Sequence, residues 1–282
     1  MTDPIVTTEW LAAHLADADL MVLDGSWHMP AEGRDARAEY AAGHIPGAAF
    51  FDIDAVADHA TDLPHMLPAP ADFATAARRL GVGPASTVVV YDTVGVFSSP
   101  RVWWSFRAMG HARVFVLDGG LPKWIAEGRP VETGWRESAH GAFKAHAAPA
   151  LVADFDQVKA ALAAGSAQVV DARGAARFRG ETPEPRPGLA AGHMPGARSL
   201  PWNTVVTPTG ELAAPQALRA AFVAAGVDLA RPIITTCGSG LTASILALAL
   251  ARLGHTDAAV YDGSWSEWGA RADAPVATGP AE

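Results

Sequence analysis

Short β-branched and aliphatic runs alternate along this chain with segments whose apolar positions recur every three or four residues. "STVVVYD" (86–92) and "RPIITT" (231–236) are of the first kind and read as strands. "PADFATAARRLG" (70–81) and "PQALRAAFVAAG" (215–226) are of the second kind. They read as amphipathic helices that open on proline and close on glycine. The strand runs are apolar at successive positions, so both of their faces must be covered. That pattern predicts α/β units, each a parallel sheet flanked by helices on both faces.

The pattern is written twice. "GHIPGA" (43–48) returns as "GHMPGA" (192–197), and "MVLDGS" around Asp24 matches "QVVDAR" around Asp171. "MGHARVFVLDGGLPKW" (109–124) returns as "LGHTDAAVYDGSWSEW" (253–268). The order is kept and the shift stays between 144 and 149 residues. Copies of this size are self-sufficient domains, not turns of a solenoid. The expected division is a first domain over 1–135, a linker over 136–149 and a second domain over 150–282. The repeated His44 and His193 are read as structural, fixing backbone before a Pro-Gly turn.

Composition narrows the function classes. Half of the 282 residues are hydrophobic and 18% are charged, as in a folded globular protein. Twenty-one basic residues against thirty acidic ones give a net charge of −9, with no basic stripe. Nucleic acid and anionic membranes are therefore not expected partners. The one cysteine excludes an internal disulfide and fits a reducing compartment. The first residues lack the pattern of a signal peptide, and no apolar run approaches a membrane span. A soluble cytoplasmic protein is expected.

That cysteine, Cys237, lies in "IITTCGSGLTASILALALARLG" (233–254), between a strand pattern and a long helical one. The thiol is thus placed at a helix N-terminus, beyond the carboxyl end of a parallel strand, where α/β sheets carry ligands. Gly238 and Gly240 let successive amides curl into an anion-binding nest. A free thiol, with a pKa of about 8.5, is only a few per cent ionised at neutral pH. Making the thiolate dominant needs roughly two units, or about 2.7 kcal/mol. The helix dipole supplies about 0.3–1 kcal/mol, and amide bonds to an anion about 1.5–3 kcal/mol each. An amide cradle is therefore enough to activate Cys237. The alternative is a buried structural cysteine. A cysteine phosphatase is disfavoured, because the position six residues on, where such enzymes carry a phosphate-clamping arginine, is Ala243.

"CGSGLTA" together with "ARFRGETPEPRPGLAAGHMPGA" resembles the 3-mercaptopyruvate sulfurtransferases, tandem-domain members of the rhodanese superfamily. The likeness covers essentially the whole chain, including "FFDIDAVADHATDLPHMLP" and "DGSWSEWG". Leu241 stands where that family more often has valine. The resemblance implies two rhodanese-like domains and a second domain in which Cys237 accepts sulfur as a persulfide, without a cofactor or metal. It implies that Arg177 and Arg186 bind the substrate carboxylate, and that Gly238, Gly240, Leu241 and Thr242 line the substrate. It also implies that Ser239, with Asp54 and His65 from the first half, manages a proton. Pyruvate would be released, and the sulfur passed to cyanide or to a thiol such as thioredoxin. A thiosulfate sulfurtransferase, and a sulfur-carrier or redox-sensing module without turnover, remain the alternatives. Aligning "VVVYDTVGVFSSPRVWW" with the cysteine segment puts Asp92 opposite Cys237. A carboxylate cannot carry a persulfide, so the first half is expected to be inert in sulfur transfer.

Overall fold

The computed structural model describes residues 3–136 and 139–281. Its contacts divide the chain into two units. The first comprises Met1–Asp58, Leu67–Ala148 and Thr207–Leu212; the second comprises His59–Met66, Pro149–Val206 and Ala213–Glu282.

The first unit runs β1 (Ile5–Val6), α1 (Thr8–His14), β2 (Leu20–Asp24), α2 (Ala36–Ala42), β3 (Ala49–Phe50), α3 (Pro70–Arg79), β4 (Thr87–Tyr91), α4 (Ser99–Ala108), β5 (Val114–Leu117) and α5 (Gly120–Ala126). The second repeats it with β6 (Val152–Ala153), α6 (Phe155–Ala164), β7 (Gln168–Asp171), α7 (Ala175–Phe178), β8 (Arg198–Ser199), α8 (Pro215–Ala224), β9 (Ile233–Thr236), α9 (Ala243–Arg252), β10 (Ala259–Tyr261) and α10 (Ser264–Trp268). The sheets are ordered β1-β5-β4-β2-β3 and β6-β10-β9-β7-β8, the same topology twice. Every strand pair is parallel. The duplication seen in the sequence is thus a duplication of fold.

The expected strands and helices form where the hydrophobic pattern places them. All four residues of β9 are buried. Because neighbouring strand side chains point to opposite faces, burial of the whole run means that both faces are covered. Helix α9 is buried at every position from Ala243 to Ala251, the signature of a helix packed on all sides. Helices α3 and α8 start on proline and are followed by Gly81 and Gly226 with positive φ, as the glycine-closed pattern predicts. Trp124, Tyr91 and Leu11 anchor the core of the first unit; Trp265, Trp268 and Phe155 anchor that of the second.

His44 and His193 play the same part in the two units. His44 Nδ1 is 2.9 Å from the Tyr40 carbonyl, and His193 Nδ1 is 2.8 Å from that of Phe178. Each ring stacks on the aromatic that it bonds. The division into two contiguous domains needs correcting. Residues 139–148 of the expected linker belong to the first unit, because Phe143 is buried among Phe73, Phe106 and His111. The segment His59–Met66, placed in the first half by sequence, belongs to the second unit.

Candidate active site

Strand β9 ends at Thr236 and delivers Cys237 into a six-residue loop before α9. Cys237 is 2% exposed, and Ser239, Leu241 and Gly240 are also buried. The loop is tied down from beneath by the turn that opens α10. The Cys237 and Gly240 amides donate to Ser264 Oγ at 3.2 and 3.0 Å, and Ser264 Oγ donates to the Tyr261 carbonyl at 2.7 Å. The Trp265 amide donates to the Cys237 carbonyl, and the Ser266 amide and hydroxyl both donate to the Gly238 carbonyl. Gly240 adopts φ +77°, a left-handed conformation that suits glycine. Among the described residues, the amides of Gly238, Ser239, Leu241 and Thr242 find no protein acceptor.

Both arginines singled out in the sequence reach this loop. A β-carbon on Gly238 would lie 3.1 Å from Arg177 Nη2 and 4.0 Å from Arg186 Nη1. Arg177 is carried by α7, and Arg186 by the loop that follows it. Two guanidinium groups beside the loop favour an anion there beyond what the amides contribute.

A buried ionic chain that the sequence reading missed holds Arg177. Glu184, whose side chain is 2% exposed, accepts from Arg177 with both oxygens and shares Oε1 with Arg173. The side chain of Arg173 is fully buried; it also pairs with Asp171, donates to the Gly192 carbonyl and lies 4.1 Å above the Trp265 ring. Asp171 and Arg173 were visible in the sequence as part of "QVVDAR". Nothing in the pattern indicated that Glu184, in "ETPEPRPG", would join them, because burial is decided by the fold.

The first unit carries the same loop in a filled state. Asp92 follows β4 as Cys237 follows β9, and its carboxylate is fully buried. It accepts the amides of Val94, Gly95, Phe97, Ser98 and Ser99 at 2.8–3.0 Å, and the Ser99 hydroxyl at 2.6 Å. A strand, small-residue loop and helix of this build therefore do gather amides around an anion at this position.

The candidate proton-handling residues are divided. Ser239 lies in the cysteine loop, and His65 belongs to the same unit, buried, with a left-handed backbone at φ +62°. Such a φ is strained for a residue with a β-carbon. Asp54 belongs to the first unit, is exposed, and accepts the Trp27 indole N–H at 2.9 Å. Nearby Asp52 accepts the Ala55 amide at 3.0 Å.

The rhodanese-like domain model matches residues 7–127 and 154–271, one match per unit. The chain is 46% identical to the 3-mercaptopyruvate sulfurtransferase of Escherichia coli K12, over 96% of each chain. It is 43% identical to the thiosulfate sulfurtransferase of Gallus gallus, over 95% of this chain and 94% of that one. The crystal structure of SseA from E. coli, a 3-mercaptopyruvate sulfotransferase, superposes with a TM-score of 0.86 at 43% identity, covering 94% of this chain and 99% of that one. With the same parallel sheet built twice and a cysteine loop in the second copy, the chain belongs to the rhodanese family as a tandem of two rhodanese-like domains.

Proposed function

We infer that the chain is an enzyme that moves the sulfur of 3-mercaptopyruvate to an acceptor through Cys237. The observation that carries this reading is the contrast between the two loops. Where Asp92 consumes five amides, the Cys237 loop leaves four amides without a protein acceptor among the described residues, beside two arginines. That is a place for an anion that comes and goes. The names of the E. coli relatives support 3-mercaptopyruvate as donor. The carboxylate of a keto acid suits a pair of guanidinium groups.

In the proposed reaction the Cys237 thiolate attacks the substrate sulfur. The carbon–sulfur bond breaks with its electron pair passing to the methylene carbon, which takes a proton to give pyruvate. Cys237 is left as a persulfide, its outer sulfur facing the amides of Gly238, Ser239, Leu241 and Thr242. Arg177 and Arg186 hold the carboxylate and so orient the sulfur toward Cys237. We assign proton handling to Ser239 and His65 of the same unit. An acceptor thiolate, or cyanide, then attacks the outer sulfur and releases the Cys237 thiolate. The sulfur travels covalently, so no cofactor or metal is required. A small protein dithiol such as thioredoxin, in a reducing cytoplasm, fits as acceptor. No helix among the described residues is long and apolar enough to cross a membrane.

The test is intact mass after incubation with 3-mercaptopyruvate. The wild type should gain one sulfur and release pyruvate over many turnovers, and Cys237→Ser should do neither. A single loading without turnover would leave only a carrier. Faster turnover with thiosulfate, with cyanide as acceptor, would transfer the assignment to the thiosulfate branch.

A further inference from the structure

Ser264 and His65 are the two non-glycine residues with positive φ among the described residues. Ser264 sits at φ +49°, fully buried, in the turn that opens α10. Its counterpart in the first unit, in "DGGLPKW" against "DGSWSEW", is Gly120 at φ +54°. The two turns hold their loops in the same register. The Leu121 amide donates to the Asp92 carbonyl at 3.0 Å, and the Trp265 amide donates to the Cys237 carbonyl at 3.0 Å.

The residue between strand and loop differs in a compensating way. In the first unit a β-carbon at Gly120 would stand 2.4 Å from the Asp92 carbonyl oxygen and 2.7 Å from that of Gly95, so no side chain fits. There the loop is organised from within, and the Gly95 amide is held by the Asp92 carboxylate. In the second unit the residue at that loop position is a thiol, which cannot gather the loop in this way without giving up its reactivity. The Gly240 amide, with that of Cys237, is instead held from below by the Ser264 hydroxyl. Glycine would relieve the strain at this backbone angle, yet serine is present.

We propose that Ser264 is a positioning residue for the reaction: its hydroxyl takes over the organising role of the carboxylate in the duplicate loop, fixing the cradle while leaving the atom at position 237 free to carry sulfur. This rests on the reading of Cys237 as the sulfur carrier. The charged groups around the loop are Arg177 and Arg186 beside Gly238, Glu184 and Arg173 behind Arg177, with Arg173 over the Trp265 ring, and buried Asp262 two residues before Ser264. Nearby Glu267 accepts the Tyr261 hydroxyl.

Two variants and one measurement on the wild type test this. Ser264→Gly removes the hydroxyl and relaxes the backbone; Ser264→Ala removes the hydroxyl and keeps the strain. In each, alkylation of Cys237 by iodoacetamide should be about tenfold slower at neutral pH. The KM for 3-mercaptopyruvate should stay within about twofold and kcat should fall, since the arginines remain. Hydrogen exchange in the wild type should find the Cys237 and Gly240 amides strongly protected. A folded Ser264→Gly enzyme with the wild-type alkylation rate and kcat would overturn the proposal, as would fast exchange at those two amides. If the wild type gained no sulfur at Cys237, it is the underlying assignment of the carrier that would fail, whatever the variants did.

Discussion

Arg177 Nη2 stands 3.1 Å from the point that a β-carbon on Gly238 would occupy. A β-carbon at Gly238 would sit tightly against the guanidinium, so Arg177 must give way by a few tenths of an ångström to admit a side chain there. Gly238→Ala is expected to raise the KM for 3-mercaptopyruvate about tenfold while the fold is kept, because its backbone lies outside the left-handed region. Steady-state kinetics beside a urea melt would check this; an unchanged KM would show that Arg177 does not meet the substrate there.

Arg186→Lys should also raise KM, by about tenfold. An ammonium keeps the charge but cannot give a carboxylate two parallel bonds. Substrates of the same shape lacking the carboxylate should not distinguish the variant from wild type, and that comparison is the check.

Glu184 joins the partly exposed Arg177 to the buried Arg173. Glu184→Ala leaves Arg173 with Asp171 as its one acidic partner and removes the tether of Arg177. A loss of about 3 kcal/mol is expected, the lower end for breaking a buried pair, together with a higher KM. Glu184→Gln should lose less on both counts. Urea denaturation and kinetics on the two variants would separate the stability effect from the positioning effect.

Asp92→Asn replaces an anion that accepts five amides and a hydroxyl with a neutral amide whose nitrogen faces donors. Bonds to a charged acceptor are worth about 1.5–3 kcal/mol each, so the first unit should lose about 3 kcal/mol or more. The expected readout is an earlier unfolding step in urea, while folded variant protein still loads one sulfur on Cys237 by mass.

Asp24 supplies a pH signature. Burial pushes its carboxyl up to about 6, against the bonds from Ser26 that favour the charged form. Its counterpart Asp171 has Arg173 two residues on, where Asp24 has Ser26. A carboxyl raised on folding binds its proton more tightly in the native state. Its contribution is fully present below pH 3.8 and is lost as pH rises through about 6. Asp24→Asn should remove that fall, worth about 3 kcal/mol across the window. Denaturation midpoints of both proteins at pH 4, 5 and 7 would test it.

The place of Cys237 was legible because it stands between a predictable strand and a predictable helix, whereas Arg177 and Arg186 were singled out only by the family resemblance of "ARF" and "EPRPG". The duplicated landmarks in the sequence place Asp92 opposite Cys237. Glu184 was not legible: an acidic residue in a Pro-rich loop reads as solvated, and its burial depends on Arg173 lying beneath it. Ser264 was passed over because its hydroxyl acts across 24 residues of chain on Gly240, a distance at which sequence pattern carries no geometry.

By itself the sequence determined the class of fold, its duplication and the location of the thiol, because each follows from local periodicity and from repetition along the chain. Only the tertiary structure decided which polar groups are buried together. It brought Arg177 and Arg186 to Gly238, hid Glu184 between two arginines, and kept Phe143 with the first unit and the His65 segment with the second. The physical reason is that hydrophobic burial follows a pattern readable one element at a time. The cost of an unpaired charge or amide is set instead by neighbours that meet only once the chain has closed.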